Sequence, residues 1–167
     1  MMEKKIYILV VEDEADVLDS IVRDISSFET YFPIEMTDTA EEAREQIQEI
    51  LDNDHEIGLI LCDHVLPGDN GVELLVEMEK NEATARTQKV LITGQAGLQE
   101  TVRAVNDANL KHYISKPWKK EELVEIVREM LTDYVLENVK NPLGFMPILD
   151  GERIAESIRK SGAISDL

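Results

Sequence analysis

The sequence predicts an α/β fold: a parallel sheet of five strands covered by helices on both faces. Three observations carry this. Five short apolar runs, rich in β-branched residues, are separated by stretches whose apolar residues recur every three to four positions. Runs such as "IYILVV" and "IGLILC" do not alternate with polar residues, as strands buried on both faces require. Strand and helix patterns also take turns along the chain, which selects a parallel sheet over hairpins.

The first strand is predicted at Ile6 to Val11, and Val17, Leu18, Ile21, Val22, Ile25 and Phe28 then mark one face of a helix. A second strand at Ile34 to Thr37 leads to a helix through Ala40, Ala43, Ile47, Ile50 and Leu51, with Asp38 and Thr39 as alternative N-caps. The third strand, Ile57 to Cys62, is followed by a stripe at Gly71, Val72, Leu74, Leu75 and Met78. The fourth, Val90 to Thr93, precedes a weaker stripe at Leu98, Val102, Val105 and Ala108, and the fifth, Tyr113 to Ser115, precedes Leu123, Val127, Met130 and Tyr134.

This last helix starts near Lys119 or Lys120 and runs to about Val139, and Leu131, Val135 and Leu136 form a second apolar face on it, open to a second chain or to the tail. "NPLGFMPILDG" breaks the helix, and "ERIAESIRKSG" predicts a short amphipathic helix capped by Asp150 and ending at Gly162. The expected organisation is a domain over residues 1–138 and a short extension over 139–167, either an interaction segment or the start of a linker. About 29 residues are too few for an independent effector fold without metals or disulfides. Output therefore goes through protein contacts, unless the chain is a fragment of a longer protein.

Composition narrows function. Of 167 residues, 35 are Asp or Glu and 17 Lys or Arg, giving a net charge of −18, all of it in residues 1–138. So negative a surface repels phosphate backbones and argues against direct nucleic-acid binding. No apolar run approaches the roughly 20 residues that span a bilayer, and the N-terminus lacks the pattern of a secretory signal, so the expected setting is cytoplasmic. Cys62 is the only cysteine and falls inside an apolar run, which makes it a buried core residue rather than a reactive thiol.

Ligands of open parallel sheets bind beyond the carboxyl ends of the strands. At those positions stand Glu12, Asp13 and Glu14, then Asp63, then Thr93 and Gly94, then Ser115, Lys116 and Pro117. Clustered carboxylates repel one another unless a cation sits among them. Oxygen donors select magnesium, with manganese as the alternative, and magnesium keeps waters beside one or two carboxylates and a phosphate oxygen. A carboxylate in such a site can act as a nucleophile toward phosphorus, and an ammonium and a hydroxyl can neutralise the transferred oxygens. Asp13 and Asp63 offer the carboxylates, Lys116 the ammonium and Thr93 the hydroxyl.

The segments "ILVVEDEADV", "LILCDHVLPGDNGVELL", "VLITGQAG" and "YISKPW", in this order and spacing over residues 4–138, resemble the receiver domain of two-component response regulators. The resemblance implies a flavodoxin-like doubly wound (βα)5 fold with strand order 2-1-3-4-5. It implies Asp63 as phospho-acceptor, Glu12 and Asp13 as the acidic pair at Mg2+, the Val65 backbone carbonyl completing the metal shell, and Thr93 and Lys116 on the phosphate oxygens. Tyr113 stands where the family has its switch aromatic, and the Lys116-Pro117 bond is expected to be cis. A sensor histidine kinase or phosphotransfer protein is the implied donor, a downstream protein effector or a second copy of the chain the implied reader. Its only enzymatic activity would be self-phosphorylation and autodephosphorylation.

Glu12 replaces the more frequent aspartate, and Val65 and Gln95 occupy positions that in this family tune the phosphoryl lifetime. His64 reads as a bystander pointing away from Asp63, and Asp69 as a solvated loop acid. Other readings remain. An aspartyl phosphatase wants a general acid two residues after the nucleophile, where Val65 stands. A flavodoxin-like cofactor binder wants a Gly- and Ser-rich first loop, where "VEDEAD" stands. A phosphorylation-independent interaction module, with the pocket present but unused, is separated only by experiment. For output, the sequence points to the face near Val105, Tyr113 and Leu123 to Tyr134, adjoined by the tail; alternatively Phe145, Met146, Ile148 and Leu149 fold back over their own domain.

Overall fold

The computed structural model describes residues 3–94 and 98–162. Gln95 lies outside them. Strands β1 (Ile6–Val11), β2 (Ile34–Thr37), β3 (Glu56–Asp63), β6 (Gln88–Thr93) and β7 (His112–Ser115) form one parallel sheet in the order β2-β1-β3-β6-β7. Two-residue strands β4 (Val65–Leu66) and β5 (Asp69–Asn70) make a separate antiparallel ladder in the loop after β3. Counting only strands of the main sheet, the order is the expected 2-1-3-4-5. Helices α1 (Ala15–Asp24), α2 (Ala40–Asp52), α3 (Gly71–Lys80), α4 (Leu98–Asp107) and α5 (Lys120–Asn138) follow successive strands of that sheet. Among the described residues, no helix is long and apolar enough to cross a membrane.

The missing alternation in the strands has a direct structural cause. Ile8, Val10, Leu59, Leu61, Val90 and Ile92 pack on one face with Ile21 of α1 and Leu123, Val127 and Met130 of α5. Leu9, Val11, Ile60, Cys62 and Leu91 pack on the other with Ala43 and Ile47 of α2, Val72 and Leu75 of α3 and Ala104 of α4. In the central strands β1, β3 and β6 most residues have an apolar layer above or below them, so few need to be polar. Cys62 is fully buried, and burial pushes its thiol pKa far up, leaving it an inert core residue.

Thr39 caps α2, its side chain accepting from the N–H of Glu42. The helix expected to run through Phe28 instead ends at Asp24, and Phe28 is carried in a 3-10 turn, Ser26–Phe28. Phe28 is still buried, because the tighter turn keeps its side chain facing the sheet.

The loop after β3 is held closely against α3. The N–H of Gly71 donates to the carbonyl of His64 at 2.8 Å, and a Cβ on Gly71 would lie 1.8 Å from the backbone oxygen of Asp63. No side-chain rotation relieves such a clash, so strand end or helix start would have to shift. Gly71→Ala is expected to cost roughly 3 kcal/mol in urea unfolding, the upper range for overpacking. Unchanged stability would mean that this approach is not tight in solution.

The tail folds back on the domain. A 3-10 turn, Pro142–Phe145, and helix α6 (Gly151–Lys160) return along α5. Leu149, Ile154 and Ile158 are buried in the same cluster as Phe28, Phe32, Leu131, Tyr134 and Val135, and Phe145 stacks on Phe32 at 5.2 Å. Asp150 caps α6 by accepting from the N–H of Arg153, its own N–H donates to Thr132 Oγ1 at 3.2 Å, and Arg153 pairs with Asp133 at 2.8 Å. The second apolar face of α5 is therefore largely covered by this chain's own extension: Leu131 and Val135 are buried by it.

Candidate functional site

The register of the sheet places the chemistry-bearing residues along one edge. Val11 pairs with Cys62, Asp63 with Ile92 and Thr93 with Ser115, so Glu12, Asp63, Thr93 and Lys116 stand at or just beyond neighbouring carboxyl ends. Glu12, Asp63 and Thr93 are buried, whereas Asp13 is exposed. Carboxylate oxygens of Glu12, Asp13 and Asp63 lie within 4.8 Å of one another.

Lys116 enters this cluster from the far side. Its Nζ is 3.0 Å from Asp63 Oδ2 and 2.5 Å from Glu12 Oε1. The latter contact satisfies charge but not hydrogen-bond direction, so among the described residues this buried oxygen of Glu12 lacks an aligned donor. The Lys116 N–H donates to the carbonyl of Thr93 at 3.1 Å, tying the β7 loop to the end of β6, and the Lys116-Pro117 bond is cis. The other Asp63 oxygen, Oδ1, accepts from the N–H of Val65 at 3.3 Å.

Burial pushes the Glu12 carboxyl up to about 7; the Lys116 ammonium opposes this and Asp63 reinforces it. Burial acts against the charge of Lys116, but Glu12 and Asp63 outweigh it and raise its pKa. The cluster is thus short of positive charge: one ammonium faces three carboxylates. Oxygen-only donors, an exposed Asp13 on the open side and an undonated Glu12 oxygen fit a hard divalent cation that retains waters.

A stability prediction follows from Glu12. Its folded pKa, about 7, exceeds the ordinary 4.5, so the folded state binds a proton more tightly than the unfolded chain. Without metal, ionising Glu12 therefore erodes stability as pH rises from about 4.5 toward 7. Glu12→Gln should match the native protein at pH 5 and be the more stable of the two at pH 8 without metal. Millimolar magnesium should raise the melting temperature of the native protein at pH 8 and that of the variant less. Parallel pH profiles, or no response to magnesium, would refute the account.

The remaining sequence-predicted residues are spread around this centre. Val65 is largely exposed in β4, and Tyr113 is about half exposed on β7, with its ring outside the core. Asp69 is not merely solvated. Its carboxylate accepts from the Asn70 N–H and pairs with Arg44 at 3.0 Å, which hold its pKa low, and Arg44 also engages Glu77 at 2.8 Å. His64 faces α4, with Nε2 3.8 Å from Glu100, and its buried Nδ1 has no partner among the described residues. Sequence reading missed Arg44 and Glu100, which touch the loop from α2 and α4; neither carries a motif, and only the fold brings them there.

The family described as "Response regulator receiver domain" matches residues 8–128. The hydrogenase transcriptional regulatory protein HoxA of Cupriavidus necator is 30% identical over 77% of this chain, which spans only 25% of that protein. The two-component response regulator ORR12 of Oryza sativa subsp. japonica is 33% identical over 53% of this chain and 73% of its own length. Among solved structures, the CheY-like response regulator receiver domain protein of Methanospirillum hungatei superposes with a TM-score of 0.69 at 31% identity, over 81% of this chain and all of that one. Fold, edge chemistry and these similarities agree: the chain belongs to the receiver-domain family of two-component response regulators.

Proposed function

We propose that this receiver takes a phosphoryl group onto Asp63 and reads it out as a change in protein contacts. The observation that carries the proposal is Lys116 Nζ held 3.0 Å from Asp63 Oδ2, beside the acidic pair Glu12 and Asp13. A carboxylate oxygen of Asp63 forms the new O–P bond while the bond from phosphorus to the donor breaks, and the electron pair leaves with the donor. The donor is a phosphohistidine of a sensor kinase or phosphotransfer protein, or a small acyl phosphate. Lys116 supplies fixed positive charge beside the transferred oxygens, and burial of Asp63 at a strand end limits competing water. Thr93, at the end of the neighbouring strand, supplies a hydroxyl to the same oxygens.

Glu12, Asp13, Asp63 and the Val65 carbonyl would hold magnesium, or manganese, which when bound neutralises charge on the phosphoryl oxygens. Apart from that, the chain's own geometry determines the outcome. Movement of Thr93 toward the phosphoryl group leaves room for the exposed ring of Tyr113 to turn inward, remodelling the face of α4, β7 and α5 that an effector or a second copy reads. Residues 1–138 are the phosphorylated unit and 139–167 an extension that reinforces it; the proposed setting is the cytoplasm, where kinase donors work.

Acetyl phosphate with magnesium tests the reading. Intact mass is expected to rise by one phosphoryl group per chain, and hydroxylamine, which cleaves acyl phosphates, to remove it. An unchanged mass under conditions that label another receiver overturns the reading in favour of an interaction module with an unused pocket.

A further inference from the structure

The loop between Asp63 and α3 makes contacts that phosphoryl transfer alone does not need. Both of its ends meet one oxygen of one side chain on another element: Glu100 Oε2, in the first turn of α4. Asn70 Nδ2 donates to it at 3.2 Å, and His64 Nε2 lies 3.8 Å from it. Asn70 is also the N-cap of α3, its Oδ1 accepting from the N–H of Val72 at 2.8 Å, so this side chain joins the starts of two helices. His64 directly follows the phospho-acceptor, is mostly buried, and its Nδ1 has no partner among the described residues. A mostly buried histidine with half its hydrogen-bonding capacity unused adds little to the stability of the loop. Among the described residues, the polar contact of its side chain is the one to α4.

One turn further on, Arg103 of α4 pairs with Glu73 of α3. Besides the packing of Ala104 in the core, helix α4 is held by polar links of different kinds. Arg103–Glu73 is a close ion pair to a neighbouring helix. Glu100 bridges to the loop that carries Asp63, through contacts long enough for a small movement of His64 or Asn70 to break. The exposed apolar residues Val102 and Val105 lie on this same helix.

We propose that Glu100 is a positioning residue that tethers α4 to the phospho-acceptor loop through Asn70 and His64, holding α4 in its resting place until Asp63 is modified. The inference rests on Asp63 being the phospho-acceptor. A group added to Asp63 displaces the backbone at His64, the bridge to Glu100 opens, and the first turn of α4 is released. Thermodynamic linkage then requires the reverse effect: cutting the tether from the α4 side must make modification of Asp63 easier, because the cost of breaking it is already met.

The test compares native protein, Glu100→Ala and Glu100→Gln, using beryllofluoride with magnesium as the phosphoryl mimic. In the native protein, amide hydrogen exchange across α4 should quicken on addition of the mimic by about tenfold, the factor that goes with losing one hydrogen bond to a charged group. Glu100→Ala should exchange at the faster rate without the mimic, show no further rise, and bind beryllofluoride about tenfold more tightly. Glu100→Gln, whose carbonyl still accepts from Asn70, should fall between. A merely structural role for Glu100 would loosen α4 without raising affinity at Asp63. If Glu100→Ala keeps the native rise in exchange and the native affinity, the tether is refuted while phosphorylation stands. If Asp63 takes neither phosphate nor the mimic in the native protein, both fail.

Discussion

Asp63→Asn is expected to abolish labelling by acetyl phosphate, and Lys116→Ala to slow it about 100-fold, the cost of removing one charge-stabilising donor. The two variants fail for different reasons. Asn retains the volume of Asp63 and an oxygen for the Val65 N–H, but its amide is a poor nucleophile and cannot form an acyl phosphate. Lys116→Ala leaves the nucleophile and removes the only ammonium in contact with it among the described residues, with Nζ 3.0 Å from Oδ2. It also leaves the Glu12 carboxyl beside Asp63 without its ammonium, so its metal-free stability should fall most at high pH, where Glu12 is ionised. Intact mass against time for the three proteins measures both effects. Labelling of Asp63→Asn at the native rate would place the phosphoryl group elsewhere, and native kinetics in Lys116→Ala would remove its proposed role.

Removing the tail should be the most costly change to stability. Leu149, Ile154 and Ile158 are buried against Phe32, Leu131 and Val135, and cutting after Asn138 exposes both sides of that contact. Each such aliphatic contributes about 1.5–3 kcal/mol on burial. Part of this is offset by the roughly 1–2 kcal/mol per residue that ordering the backbone costs. Ile154→Ala, which leaves the tail in place, should cost about 2–5 kcal/mol in urea unfolding. The truncated chain should be less stable still. Under conditions where it remains folded, Ile154→Ala should label at Asp63 like the native protein, because the tail touches the other end of the sheet. Native stability after truncation would show that the tail does not dock in solution.

Much of the fold was legible because strand signals and burial coincide. β1 and β2 begin and end where their apolar runs do, between charged residues at β1 and between Pro33 and Asp38 at β2. The end of α1 was not legible. Phe28 continues the helical spacing, yet a 3-10 turn keeps the same side facing inward, and periodicity does not distinguish the two. At the site, Glu12, Asp63, Thr93 and Lys116 could be read from position, because each ends or directly follows a strand of one sheet. Glu100, Arg44 and the inward face of the tail could not. Their partners lie 30 or 25 residues away in the chain, or, for the tail, on α5 and at Phe32 before β2, and nothing local marks them.

The order of the strands also bears on when the protein becomes competent. Asp63 and Lys116 are 53 residues apart, and Glu12 comes from the first strand of all. No stretch of the chain that lacks either β1 or the loop after β7 contains both the nucleophile's acidic neighbour and its ammonium. Long-range pairings of this kind form late, after loop closure has been met for every intervening strand. The chain during synthesis, or one cut by a protease between α3 and α5, therefore holds an aspartate without a site around it. With Asp63 as the proposed acceptor, such a chain is expected to stay silent toward a kinase rather than relay a false signal, so that labelling would report a receiver that has finished folding.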